Sequence, residues 1–191
     1  MIPSLILNGL NVVLVAACVA WGVKKTDPWP RVFRYFTTLS NVLCAIVSLI
    51  AFVCALCGGL PLPFWALLLK YVGTAAVTVT MLTVFLFLGP TSHDWKGLLT
   101  GTPFFLHLLC PVLALVSFLV FEKTAMPAWT IAIGSLPVPV YGALYMRKVI
   151  FAPEERRWED FYGFNRGGKW PISVGLMTLA GALIALALWV I

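Results

Sequence analysis

The sequence predicts an all-α polytopic membrane protein, with six transmembrane helices in one bundle that forms a single domain over residues 1–191. Two features of the composition favour this fold class: 61% of the residues are apolar and only 10% are charged. A soluble domain carries about 25% charged residues. As a third observation, the apolar residues form runs near the ~20 residues that a membrane-spanning helix needs.

Six apolar runs follow one another, separated by loops that contain Pro, Gly and charged residues. Their approximate bounds are 2–23, 33–57, 64–89, 103–121, 127–146 and 171–191. Because Lys24 and Lys25 follow the first run instead of preceding it, we expect a retained span and not a signal peptide. No acidic residue lies within any of the six runs, and no internal repeat is visible.

Positive charge indicates the orientation of these spans. Eleven of the 13 basic residues lie in the first, third and fifth loops, whereas Lys70 and Lys123 lie toward the other side. The positive-inside rule therefore puts the odd loops in the cytoplasm and both termini on the non-cytoplasmic side. The net charge of +6 is explained by this topology and by contact with anionic headgroups. A nucleic-acid partner is not predicted, because no basic soluble module is present.

The second run opens with an unusual cluster of polar residues, Thr37, Thr38, Ser40 and Asn41. Thr37, Ser40, Asn41 and Cys44 recur at the spacing of one helix face. A polar face inside lipid must contact other protein, water or a ligand. This end of the second span is therefore the first place to search for a functional site.

The fourth run contains His107, a histidine within a predicted span. Such a histidine either forms a hydrogen bond between helices or takes part in function. His107 and Thr37 each lie four residues inside the predicted cytoplasmic start of their span, which is ~6 Å at 1.5 Å per residue. The two side chains are therefore expected at the same depth.

A hydroxyl and an imidazole at one depth indicate nucleophilic catalysis, in which His107 accepts the proton of Thr37. Asn41, one turn from Thr37, is a candidate oxyanion donor, and Thr38 and Ser40 are candidate supporting residues. With no carboxylate in the predicted spans, an Asp-oriented triad is not evident. Any third group that supports His107 stays open at this point.

Four further residues are candidates for the walls of a pocket: Cys44, Cys110, Pro139 and Tyr141. The cysteines equally fit simple packing in the interior, and the prolines of the fifth span fit either a pocket or a structural kink. A catalytic zinc usually takes three protein ligands, more than His107 offers. Neither a metal nor another cofactor is predicted.

Two cytoplasmic segments lie near the expected site. A basic mouth, consisting of Lys24, Lys25, Arg31 and Arg34, either attracts an anionic headgroup or only determines the topology. The last loop, 147–170, is rich in aromatic residues. It either anchors the chain at the headgroup level or also covers the opening of a site.

Several motifs resemble one known family in order along the chain. The segment Phe33-Arg-Tyr-Phe-Thr-Thr-Leu-Ser-Asn41 and His107 with its following proline resemble the threonine and histidine motifs of the androgen-induced and androgen-dependent TFPI-regulating protein family. Leu136-Pro-Val-Pro-Val-Tyr141 and Asp160-Phe-Tyr-Gly-Phe-Asn165 resemble segments of its bacterial members. Ser40 stands where animal members tend to carry an acidic residue.

The resemblance implies a multipass threonine hydrolase that cleaves fatty acid esters of hydroxy fatty acids. It implies Thr37 as the nucleophile, with Thr38 as the adjacent alternative, and His107 as the base. The expected partner is thus a membrane lipid ester, bound toward the cytoplasmic leaflet. A channel, transporter or scaffold is the alternative, although spans without acidic residues and without inverted repeats weaken an ion-coupled transporter. The sequence leaves the oligomeric state open.

Overall fold

The computed structural model describes residues 1–26 and 28–191, apart from the side chain of Trp29, and the regular structure of these residues is helical throughout. The helices are α1 (Ile2–Lys25), α2 (Phe36–Gly58), α3 (Phe64–Ser92), α4 (Trp95–Leu99), α5 (Thr102–Glu122), α6 (Thr130–Ser135), α7 (Pro137–Val149) and α8 (Trp170–Val190).

Five of these helices, α1, α2, α3, α5 and α8, are long and apolar enough to cross a membrane. Their lengths run from 21 to 29 residues, and the mean hydropathy of their most apolar windows lies between 2.0 and 2.5. A stretch of this length and composition is typical of a transmembrane helix. The five helices indicate an integral membrane protein.

The predicted fifth span does not form one long helix. It is divided at Leu136 into α6, of 6 residues, and α7, of 13 residues. Pro137 and Pro139 have no N–H to donate to the preceding turn, which interrupts the regular backbone hydrogen bonds of this stretch. The backbone N–H of Leu136 accordingly bonds to Ile133 in a tighter turn. Six uninterrupted spanning helices are therefore not confirmed.

The central helix is α3, which packs against α2, α5 and α8. Small residues allow this close approach. A Cβ added at Gly73 would lie 2.4 Å from a Val47 methyl carbon and 3.2 Å from the Cα of Cys44. Glycine is therefore required where α3 crosses α2.

Proline also disturbs two helices near one end of the bundle. Val84–Leu88 in α3 and Phe105–Leu109 in α5 form π-helical turns. Pro90 and Pro111 lie just beyond these turns and lack the N–H of a regular i to i−4 bond. Turns of this kind occur frequently at functional sites.

At the opposite end, a carboxylate and an ammonium group are buried together inside the bundle. Glu122 and Lys70 are 2% and 0% exposed, and Lys70 Nζ lies 3.9 Å from Glu122 Oε2. The expectation that no carboxylate faces the interior of the spans was therefore wrong. Glu122 is the last residue of α5, in a π-helical turn, and this turn directs its side chain inward.

Four polar side chains surround this ion pair and complete what we term the buried polar network. Lys70 donates to Ser48 Oγ at 2.9 Å and also to Asn8 Oδ1. Glu122 Oε1 accepts from Ser4 Oγ at 2.7 Å, and from Asn8 and Ser117. The network thereby joins α1, α2, α3 and α5 at the end of the bundle that lies away from Thr37.

Candidate active site

The polar face predicted at the start of α2 is present and largely buried. The helix begins at Phe36, after Tyr35 in an extended conformation. Thr38, Ser40 and Asn41 are 5%, 2% and 0% exposed, whereas Thr37 is half-buried. Thr37 is thus the most accessible hydroxyl of the cluster.

Asn41 holds α2 against α5. Its Nδ2 donates to the carbonyl of Thr37 at 2.8 Å and to the carbonyl of Leu106 at 3.0 Å. The Leu106 carbonyl needs this donor because neither nearby backbone donor reaches it. The N–H of Cys110 bonds to the Phe105 carbonyl in the π-helical turn, and Pro111 has no N–H. Both amide hydrogens of Asn41 are thereby committed, which favours a supporting role over the predicted oxyanion role.

His107 lies in the same π-helical turn, one residue from the carbonyl that Asn41 binds. Its Nδ1 is 2.8 Å from the carbonyl oxygen of Leu98 in α4. A carbonyl only accepts, so Nδ1 carries the hydrogen and Nε2 of the neutral ring keeps its lone pair. The third group that orients His107 is therefore a backbone carbonyl.

Two contacts fix α4, and with it the carbonyl of Leu98. Asp94 caps the helix, because its Oδ1 accepts from the N–H of Gly97 at 2.9 Å. Trp95 packs over Gly89 of α3 so closely that an added Cβ would lie 2.1 Å from the indole ring. The carbonyl is thus presented to His107 from an anchored helix.

An open cavity lies beside the first turn of α2, and its empty space is about 570 Å³ when the solvent at its mouth is included. Most of the lining is apolar, and it includes five hydroxyl-bearing residues, Thr37, Thr80, Thr83, Tyr141 and Tyr162. Such an apolar lining is suited to contact with a lipid chain.

The predicted pocket residues divide between this cavity and the packed interior. Tyr141 lines the cavity together with Thr37, and Ser40 reaches it indirectly through a 2.8 Å hydrogen bond to Thr80. Cys44 packs against Val77 and Ala114. Cys110 packs in the group of Val15, Cys18 and Leu106. Pro139 is half-buried on α7, between the lining residues Val138 and Tyr141.

Thr37 and His107 come from adjacent helices, but their side chains are not hydrogen-bonded to each other. Within residues 1–26 and 28–191, the Thr37 hydroxyl makes no direct hydrogen bond to the imidazole, and the cavity lining does not include His107. Asn41 is the connection between them, through the carbonyls of Thr37 and Leu106. The two predicted catalytic residues therefore lie at one end of the bundle without a direct hydrogen bond between their side chains.

The last loop closes one side of the cavity with Tyr162 and Phe164. The hydroxyl of Tyr162 accepts from the N–H of Phe36, the first residue of α2, at 3.0 Å. Burial raises the pKa of Tyr162 to about 12, so the phenol stays protonated in neutral solution. From the sequence, this loop was expected only to anchor the chain at the headgroup level or to cover the opening of a site. Its contact with α2 depends on the tertiary fold, which the sequence pattern does not indicate.

In the described part of the chain, no group of three or more His, Cys, Asp or Glu residues is placed to hold a metal ion. Comparison of the chain with protein-family models, with curated proteins and with solved structures gives no match. The function is therefore inferred from the geometry of the cavity and the chemistry of its residues.

Proposed function

We propose that this chain is an integral membrane hydrolase that cleaves a lipid ester, with Thr37 as nucleophile and His107 as general base. Fatty acid esters of hydroxy fatty acids are the expected substrate class, following the resemblance of the Thr37 and His107 motifs. The observation that carries the proposal is that the half-buried Thr37 lines a mostly apolar cavity beside the start of α2. An acyl chain would contact this apolar lining while its ester carbonyl lies at the Thr37 hydroxyl.

The position of His107 supports its role as the base. Its Nδ1–H is bound to the Leu98 carbonyl, which leaves Nε2 to accept a proton. Because no hydrogen bond joins Nε2 to the Thr37 hydroxyl, the proton transfer requires a bridging water or a movement of α2 relative to α5. Catalytic hydrogen bonds are often long before the substrate binds.

The chemistry proceeds in two balanced steps. Thr37 Oγ attacks the ester carbonyl carbon as its proton passes to His107 Nε2, and the tetrahedral intermediate then expels the alcohol, which takes that proton. An acyl-threonine remains. Water attacks it and gives a proton to His107, and the returning proton restores the Thr37 hydroxyl as the fatty acid leaves.

Topology completes the proposal. The positive-inside rule puts the Thr37 end of the bundle toward the cytoplasmic leaflet and both termini on the other side. The basic residues before α2 are then expected on the cytoplasmic side of the cavity, and one of them, Arg34, packs over the Trp158 ring at 5.3 Å. This arrangement favours a substrate with an anionic headgroup.

Activity of purified protein in detergent tests the catalytic pair. We expect hydrolysis of a long-chain p-nitrophenyl ester and labelling by a fluorophosphonate probe. Thr37→Ala and His107→Ala should each lower turnover by about 10⁴-fold or more while the protein stays folded. Thr38→Ala, which removes the neighbouring buried hydroxyl, is the matched control and should remain active. Full turnover by Thr37→Ala would exclude Thr37 as nucleophile.

A transporter is the second candidate, and the buried Lys70–Glu122 pair favours it, because ionisable residues within spans often mark transport pathways. This alternative predicts solute flux in proteoliposomes that persists in Thr37→Ala and disappears in Glu122→Gln. The hydrolase proposal predicts instead that ester turnover disappears in Thr37→Ala.

A further inference from the structure

Tyr162 is held rigidly although it lies in a loop. Its ring stacks on Phe164 with centroids 5.4 Å apart, and its backbone N–H donates to the Tyr145 hydroxyl at 3.1 Å. That hydroxyl in turn donates to Asp160 at 2.9 Å, and Asp160 accepts two backbone N–H groups of the same loop. The phenol is thus positioned before any ligand arrives.

The hydroxyl of Tyr162 lies at the first turn of α2. It accepts the N–H of Phe36 at 3.0 Å, and Phe36 directly precedes Thr37. A phenol that accepts one hydrogen bond still has its own O–H to donate. Tyr162 and Thr37 also line the same cavity, so this proton is available where an ester attacked by Thr37 would lie.

The neighbouring donors are already engaged. Asn41 gives both amide hydrogens to backbone carbonyls. Tyr141 donates to the carbonyl of Arg34 at 2.7 Å, and Thr80 is bonded to Ser40 and to the Ala76 carbonyl. Apart from Thr37 itself, Thr83 of α3 is the remaining competitor to Tyr162 among the hydroxyls of the described cavity lining.

We propose that Tyr162 is a catalytic residue that donates its phenolic hydrogen bond to the carbonyl oxygen of the ester during attack by Thr37. The inference rests on the proposed function. As the bond from Thr37 Oγ to the carbonyl carbon forms, negative charge collects on the carbonyl oxygen, and a preorganised donor stabilises that charge. Tyr162 keeps its proton throughout, and His107 carries the proton that is transferred.

The first test compares Tyr162→Phe with Tyr35→Phe, which removes the phenol hydroxyl of an exposed tyrosine that does not line the cavity. We expect Tyr162→Phe to lower kcat for the p-nitrophenyl ester by about 10²–10³-fold with KM unchanged. Tyr35→Phe should keep kcat within a few-fold. A loss in Thr83→Val but not in Tyr162→Phe would overturn the inference.

Tyr162→Phe removes the hydrogen-bond donor, but it also removes the acceptor of the Phe36 N–H. A second variant therefore distinguishes the loss of the donor from the loss of this structural contact. Fluorotyrosine at position 162 keeps the ring and the oxygen but lowers the pKa of the phenol. The alkaline limit of kcat should then move to lower pH, which a purely structural role would not produce. An unchanged pH profile would count against donation.

Failure of this inference is distinguishable from failure of the proposed function. If Thr37→Ala is inactive while Tyr162→Phe is fully active, the hydrolase stands and Tyr162 is not its oxyanion donor. If Thr37→Ala retains full turnover, the proposed function itself fails. An effect of Tyr162→Phe on KM alone would assign Tyr162 to substrate binding and overturn the catalytic role.

Discussion

Asn41 connects the two helices that carry the predicted catalytic residues. Its amide satisfies the carbonyl of Leu106, which Pro111 and the π-helical turn leave without a backbone donor. The same amide binds the carbonyl of Thr37. One side chain therefore sets the separation between the Thr37 backbone and the turn that carries His107.

Asn41→Ala and Asn11→Ala form a matched pair for this role. Asn11 also donates to a carbonyl of α5, that of Cys110, at 2.9 Å. Each variant should lose about 1–3 kcal/mol of stability, because a buried carbonyl loses its donor; thermal unfolding in detergent measures this loss. Only Asn41→Ala should also reduce ester turnover, by up to about 100-fold, through misplacement of the catalytic pair. Equal turnover in the two variants would contradict this.

At the scale of elements, the π-helical turns of α5 direct its functional side chains. The turn Phe105–Leu109 carries His107, and the turn Ser117–Glu122 directs Glu122 into the bundle. A regular helix places side chains at 3.6 residues per turn, and each extra residue in a turn rotates the side chains that come after it. The sequence pattern assigned Glu122 to a loop because it is the first charged residue after the apolar run 103–121, and its inward direction depends on the π-helical turn.

The buried polar network gives a prediction for stability at this scale. Lys70→Met should destabilise the protein by about 3–5 kcal/mol, because it leaves Glu122 charged, buried and unpaired. The double variant Lys70→Met/Glu122→Met should lose less than the sum of its single variants. Lys123→Met is the control, since Lys123 is only half-buried and donates to a backbone carbonyl. Additive losses in chemical denaturation would rule out a coupled pair.

For the whole molecule, the orientation in the membrane is testable with two exposed positions. Cys57 is an exposed thiol at the end of α2 away from Thr37, and Lys169 is exposed directly before α8. With the other cysteines replaced, Cys57 should react with a membrane-impermeant maleimide in intact cells. A Lys169→Cys variant that lacks Cys57 should react only after permeabilisation. The reverse pattern would invert the proposed topology.

The sequence predicted the parts of the molecule that depend on local composition. Of the six predicted spans, five form long apolar helices, and these helices and the polar face of α2 follow from apolar length and helical spacing. The contacts of Tyr162 with α2, of Leu98 with His107 and of Lys70 with Glu122 depend on helix packing and loop placement. No spacing rule links residues so distant in the chain. The division of the fifth span at Leu136 was signalled by Pro137 and Pro139, but apolar length outweighed that signal.

The buried pairing of Lys70 with Glu122 also has a consequence for biosynthesis. The ribosome makes Lys70 about 50 residues before Glu122, which corresponds to several seconds at about 5–20 residues per second. Lys70 is the seventh residue of α3, so its unpaired charge costs less at insertion than the about 2.5–3.5 kcal/mol of a lysine at a helix centre. During that interval Asn8 and Ser48, both already synthesised, are its available partners. Helix α3 therefore depends first on α1 and α2, and only later on α5, to stay in the bilayer.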